Sequence, residues 1–221
     1  MDGVIFDMDG VLVDSYQPHL KSWQELARRH GLEMTEEQFA ATFGRTSREI
    51  IRQLWGNQVA EGNVAAMDAE KESLYRDVLR ADFPEMDGAE ELIAALASAG
   101  FALAIGSSGP PENVEVVMER LPSSERFAAT VHGREVSHGK PHPEVFLKAA
   151  EKLGVPANRC TVIEDAVPGV QAARSAEMAC VALTGTTTRE ELSGAGADLV
   201  VDSLRQLTPE RIAAILDARP A

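Results

Sequence analysis

Asp7 and Asp9 stand one residue apart in FDMDGVLVDS (6–15), directly behind an apolar run, and Asp14 follows a second one. Like charges this close repel, so a strand that ends in them needs a compensating charge. Far along the chain Glu164 and Asp165 close another apolar run, CTVIED. Ser107 and Ser108 close a third in FALAIGSSG, and Lys140 stands in HGKPHPEVF. Four carboxylates brought to one cleft cannot all ionise without a cation; a hard divalent ion such as Mg2+, which accepts one or two carboxylates plus substrate oxygens and water, resolves this. The combination suits phosphoryl transfer. A metal lets an anionic nucleophile approach an anionic phosphate. One aspartate can attack phosphorus, and a second carboxylic acid can protonate the leaving oxygen and later take a proton from water. A lysine supplies a point charge, and a serine with nearby backbone N–H groups binds the remaining phosphate oxygens.

These residues work together only if the fold brings their strand ends together. GVIFD (3–7), FALAIG (101–106), CTVIE (160–164), ACVAL (179–183) and ADLVV (197–201) read as buried strands, with AATVHG (128–133) a weaker candidate. Their near-continuous apolarity suits a parallel sheet covered on both faces. Helix-like stretches separate them, such as DGAEELIAALASAG (87–100), where Asp87 is expected to cap, Glu90 takes the capping-box position and Gly100 ends the helix. The alternation predicts a doubly wound α/β core, whose strand C-termini meet at one edge. Residues 15–84 break it: SYQPHLKSWQELARRHG, TEEQFAATFG, TSREIIRQLWG and VAAMDAEKESLYRDVLRA all read as helices. The expected organisation is an α/β core over 1–14 and 85–221, with an all-α-helical cap, or lid, over 15–84 inserted after strand one.

FDMDGVLVDS resembles the first motif, DxDGxxxDS, of the haloacid dehalogenase-like phosphatase superfamily. IGSSG (105–109), GKPHPEVF and VIEDAVPGV (162–170) resemble its second, third and fourth motifs, in the family's order and over essentially the whole chain. The resemblance implies that Asp7 is the nucleophile and Asp9 the general acid/base. It also implies that Asp7, the main-chain carbonyl of Asp9, and the Glu164/Asp165 pair hold Mg2+, directly or through water, and that the helical insert is the family's small cap. Within the insert, SYQPHLKSW, FGRTSREI and the Lys71/Tyr75 stretch are similar to the β-phosphoglucomutase-like branch. That similarity makes His19, Trp23, Arg48 and Lys71 candidates for substrate contacts, with Arg45 competing with Arg48. Where a true mutase carries a Lys-Asn pair after motif two, this chain reads SSGPPEN, without the lysine, and Asn113 is the one candidate left. The expectation is therefore a phosphatase of a small phosphorylated metabolite, a sugar phosphate in the first place. The alternatives are a β-phosphoglucomutase, a dehalogenase, and a phospho-accepting signalling domain. Asp9 argues against the dehalogenase, and the helical insert against the signalling domain.

Several of these residues also have ordinary structural readings. Asp14 is expected to cap or hydrogen-bond at the start of the insert rather than perform chemistry. Ser107 is favoured over Ser108, which could be a turn residue. Trp23, four residues after His19 on the same helix face, could be packing. His132, His138 and His142 read as surface or loop residues and not as a metal set. Pro168 suits a first helical turn, and Gly169 a close approach near the metal site. Cys160 and Cys180 lie in apolar runs and read as buried, inert thiols.

A formal charge of −14 leaves no basic track for nucleic acid. No apolar stretch approaches the roughly 20 residues of a membrane helix. MDGVIFD enters a strand without a basic leader, so a cytoplasmic monomer is the expectation.

Overall fold

The computed structural model describes residues 1–42 and 45–219. Phe43 and Gly44, which open the FGRTSREI stretch, lie outside the described residues, as do the last two residues of the expected core segment. The chain divides into two compact units, Met1–Asp14 with Glu85–Ala221, and Ser15–Pro84.

The first unit is built on β1 (Gly3–Phe6), β2 (Ala102–Gly106), β3 (Phe127–Val131), β4 (Cys160–Glu164), β5 (Ala179–Leu183) and β6 (Leu199–Val201). They form one six-stranded sheet in the order β3-β2-β1-β4-β5-β6, and every pairing is parallel. The apolar runs chose these strands: β1, β4 and β5 are buried along their whole length, as strands covered on both faces must be. The sheet strands are connected through α5 (Ala89–Ser98), α6 (Pro111–Arg120), α7 (Glu144–Leu153), α8 (Val167–Ser175) and α9 (Arg189–Gly194), and α10 (Pro209–Asp217) follows β6. This is the expected doubly wound α/β architecture. The strand order reverses between β1 and β4, so the open crevice of the sheet lies beyond the C-terminal ends of those two strands. One apolar cluster packs Ile5, Ala104, Val162 and Cys180 of the sheet against Val145, Phe146 and Ala149 of α7 and Val170 and Ala173 of α8.

Two local expectations are corrected. The N-cap of α5 is Gly88 at φ +85°, with no side-chain cap. Asp87 pairs instead with Arg205 at 2.8 Å, and Glu90 accepts from the Ser123 backbone N–H at 3.0 Å. Both acids are drawn to distant chain segments, which a local capping pattern does not register. At the other junction, Ser15 rather than Asp14 stands at the N-cap of the following helix, and its side chain makes no capping hydrogen bond. Val13 and Glu85 form an antiparallel bridge, so the core resumes beside the point where it broke off. Cys160 and Cys180 are buried and unpaired. Burial pushes the Cys160 thiol up to about 12 and the Cys180 thiol higher still, which keeps both inert.

The second unit is all helical: α1 (Tyr16–Arg29), α2 (Glu36–Thr42), α3 (Ser47–Trp55) and α4 (Val64–Ala81). Its own core gathers Leu20, Trp23, Leu26, Phe39, Ile51, Trp55 and Met67. Thr46 caps α3 with a reciprocal capping box to Glu49. Among the described residues, no helix is long and apolar enough to cross a membrane.

Candidate active site

The register of the sheet sets Phe6 opposite Ile163, and the Asp7 backbone N–H extends the ladder by donating to the Ile163 carbonyl at 2.9 Å. The next side chains on the two strands, Asp7 and Glu164 with Asp165, therefore emerge together at the reversal of strand order. One carboxylate oxygen from each lies within 4.8 Å of the others, and all three residues are buried. Lys140 enters from the loop before α7 and bridges two of them, with Nζ 2.7 Å from Asp7 Oδ1 and 2.6 Å from Glu164 Oε1. The same ammonium lies over the Phe146 ring, 4.7 Å from its centroid. Glu164 is fixed from the other side, its Oε2 accepting from the backbone N–H groups of Asp165 and Ala166 at 2.8 and 2.9 Å.

The electrostatics follow from this crowding. Burial, with help from Glu164 and Asp9, raises Asp7 to about 7 despite the opposing pull of Lys140. Asp165 is also raised well above the carboxylate range, first by burial and then by Glu164 and Asp7. Burial disfavours the Lys140 ammonium, yet Asp7 and Glu164 outweigh it and hold the amine protonated above the ordinary lysine range. One ammonium faces three buried carboxylates, which leaves the site short of positive charge. Hard, anionic oxygens crowded at this spacing fit a divalent cation with oxygen preference, such as Mg2+.

Two glycines make the crowding possible. Gly10 adopts φ +77°, and a Cβ there would fall inside the Asp165 carboxylate. A Cβ on Gly169 would likewise fall inside the Glu164 carboxylate, so the close approach expected of Gly169 is present. The same role at Gly10 went unread in the sequence, although the glycine directly behind Asp9 was its signal. Pro168 stands in the first turn of α8.

Of the remaining candidates in this unit, Ser107 is buried, 1% exposed. Its backbone N–H donates to the Val131 carbonyl, and its Oγ accepts from the Gly109 N–H at 3.0 Å. Ser108 is exposed and Asp9 half-buried. Asn113 is buried at the start of α6.

The helical unit holds a separate polar cluster. Lys71, 3% exposed, donates from Nζ to His19 Nδ1 and to Glu72 Oε1, both at 2.9 Å, which places the proton of a neutral His19 on Nε2. The His19 ring stacks on Tyr75 with centroids 3.9 Å apart. Trp23 is 1% exposed and packs edge-to-face on Trp55 at 5.7 Å, in keeping with the packing reading that its spacing left open. Arg48 is exposed and pairs with Asp68 at 2.8 Å, while Arg45 bonds Gln53 at 2.5 Å, so both arginines are tied to neighbours on the unit's surface. His138 and His142 are exposed, as expected of surface or loop residues, and one ligand atom from each lies within 4.8 Å of one from Glu144.

The model of the haloacid dehalogenase-like hydrolases matches residues 1–177. The chain is 32% identical over 208 residues to hexitol phosphatase A of Escherichia coli, covering 93% of each protein. It is 31% identical to the chloroplastic SUPPRESSOR OF QUENCHING 1 protein of Arabidopsis thaliana over 94% of this chain, but spans only 20% of that relative's length. Among solved structures, the β-phosphoglucomutase of Clostridium difficile superimposes with a TM-score of 0.82 at 29% identity, over 98% of this chain and 97% of that one.

Proposed function

The chain belongs to the haloacid dehalogenase-like hydrolases, in the β-phosphoglucomutase-like branch, and is a phosphoric monoester hydrolase; from that premise we propose that it is a Mg2+-dependent phosphatase of a small sugar phosphate, working through an aspartyl-phosphate on Asp7. The observation that carries this reading is the buried Asp7–Lys140–Glu164 bridge with Asp165 beside it at the strand-order reversal. Asp7, the Asp9 main-chain carbonyl, Glu164 and Asp165 would hold Mg2+, which when bound neutralises carboxylate and phosphate charge together.

The chain's own groups divide the remaining work. Lys140 orients Asp7, opposes the rise that burial imposes on its carboxyl, and offers charge to the incoming phosphate. The Asp7 carboxylate forms a bond to phosphorus as the ester bond breaks, and Asp9 gives its proton to the departing sugar oxygen. Asp9, now a carboxylate, takes a proton from water as that water attacks phosphorus. The Asp7–phosphorus bond breaks, and inorganic phosphate and free Asp7 result. Ser107, with the N–H groups of its turn, binds phosphate oxygens. Within the helical insert, His19 and Lys71 are the proposed substrate contacts. Arg48 would join them once released from Asp68.

A mutase reading is favoured by the C. difficile likeness. Against it, SSGPPEN has no lysine after Ser107 to hold a second phosphate. Incubation with a panel of hexose and hexitol phosphates in Mg2+ tests the reading. Release of inorganic phosphate is expected, together with an acid-quenched phosphoryl label that alkali or hydroxylamine removes, present in wild type and missing in Asp7→Asn. Conversion of a hexose 1-phosphate to its 6-phosphate without net phosphate release overturns it in favour of the mutase. Full turnover by Asp7→Asn removes the nucleophile assignment.

A further inference from the structure

A second constellation lies outside the carboxylate site. His138 and His142 are exposed, Glu144 is half-buried, and one ligand atom from each lies within 4.8 Å of the others. We propose that His138, His142 and Glu144 form a binding site for one divalent transition ion of the Zn2+ class.

Donor chemistry and preorganisation both favour it. Two imidazoles and one carboxylate suit Zn2+, Ni2+ or Cu2+, whereas the all-carboxylate set of Asp7, Glu164 and Asp165 suits Mg2+. The two rings already face one another, with centroids 4.7 Å apart at 34°. The Glu144 carboxylate is held in place by the backbone N–H groups of Ser137 and His138, with Oε2 at 3.0 and 3.1 Å. Lys148 pairs with its other oxygen, Oε1, at 2.9 Å, and Oε2 lies 3.5 Å from His138 Nδ1. Those donors, the Lys148 ammonium first, hold Glu144 down to about 2, so no proton has to leave it. His142 Nδ1 accepts only a long bond, 3.3 Å, from the Glu144 N–H, which a metal can displace. Bonds of about 2.0–2.1 Å around a tetrahedral ion set donors roughly 3.4 Å apart. Small rotations of exposed side chains close that distance, and water completes the set. His138 and His142 flank Lys140 by two residues on either side, so an ion here would tie together both ends of the loop that presents it.

Calorimetric titration of the whole chain with Zn2+ tests the site, in wild type, His138→Ala, His142→Ala and Asp165→Asn, with far-UV circular dichroism to confirm folding. With the carboxylate site filled by excess Mg2+, one Zn2+ is expected in wild type, at least about tenfold weaker in each histidine variant and unchanged in Asp165→Asn. Co2+ should give the intense visible bands of tetrahedral nitrogen ligation in wild type only when both histidines are present. Absence of Zn2+ binding at millimolar concentration, or binding that both histidine variants retain in full, overturns the proposal. Loss of phosphatase activity in Asp165→Asn with Zn2+ binding intact keeps this site separate from the catalytic reading.

Discussion

Removing divalent cation should make the stability of this protein fall as pH rises through neutrality, and Asp7 sets the size of the effect. An ordinary aspartate titrates near 3.8, whereas buried Asp7 titrates at about 7. The unfolded chain therefore loses this proton first, and between those values the folded state holds a proton that the unfolded state does not. Stability from Asp7 is complete below pH 3.8, declines above it, and is gone above about pH 7. The gap is worth about 4 kcal/mol in all. Between pH 5 and pH 8 about two-thirds of it is lost, about 3 kcal/mol, which for a chain of this length lowers Tm by about 6–12 °C. Asp165, displaced in the same direction, adds to the slope. Lys140 does not oppose it in this window, since its contribution is complete below the ordinary lysine range. Mg2+ should reverse the trend, because deprotonation creates the ligands it needs; at a hundredfold excess over Kd it restores about 2.7 kcal/mol. Thermal melts at pH 5, 6, 7 and 8, in EDTA and in Mg2+, with Asp7→Asn as the internal control, measure this directly. Wild type in EDTA should lose stability with pH more steeply than Asp7→Asn, and Mg2+ should stabilise wild type more at pH 8 than at pH 5. Identical slopes for the two proteins in EDTA would refute the argument that crowded carboxylates at this site are what the cation relieves.

Two substitutions away from the crowded carboxylates probe the scaffold. In Gly169→Ala the new methyl displaces the Glu164 carboxylate, and Mg2+ affinity by calorimetry should drop about 10–100-fold, in line with disturbed ligand support; an unchanged Kd would show that Glu164 does not position the cation. Phe146→Ala removes a fully buried ring of α7 that packs against Gly106 and Ile5 and lies under the Lys140 ammonium. It should cost about 3–5 kcal/mol in urea unfolding and lower kcat as well, whereas a loss below 1 kcal/mol would mean that the ring is not the support the packing indicates.

The fold was legible because its signals are local and redundant. Apolar runs such as CTVIE and ACVAL coincide with β4 and β5 residue for residue, since strands buried on both faces leave no polar positions to blur their ends. β6 is shorter than ADLVV suggested; its first two residues are only half-buried, as befits an edge strand. What the sequence hid was set by distant partners. Glu90 sits where a capping box would want it, yet Ser123, thirty-three residues on, claims the carboxylate. His138 and His142 stand four residues apart, a spacing open to a ligand pair, but HGKPH reads as a loop, and only the folded turn before α7 shows Glu144 beside both. Trp23 shares a helix face with His19, but spacing alone does not say how deep a face lies, and the ring is buried against Trp55.

The three aspartates of FDMDGVLVDS show how far spacing and position can each be taken. Spacing alone makes them three similar acids at a strand end. The structure orders them by depth: Asp7 buried, Asp9 half-buried, Asp14 exposed. Depth follows from the turn after β1, where the Gly10 N–H donates to the Val13 carbonyl at 2.8 Å and the Leu12 N–H to the Met8 carbonyl at 2.9 Å. That turn folds the chain back immediately behind Asp9, and its positive-φ glycine lets the Asp165 carboxylate come within contact of the backbone. Any side chain at position 10 would collide with the Asp165 carboxylate and so disturb the crowding that a divalent cation would relieve. The glycine is thus the residue that commits the loop to crowding charge, and the price in metal-free stability is the pH dependence that the EDTA melts measure.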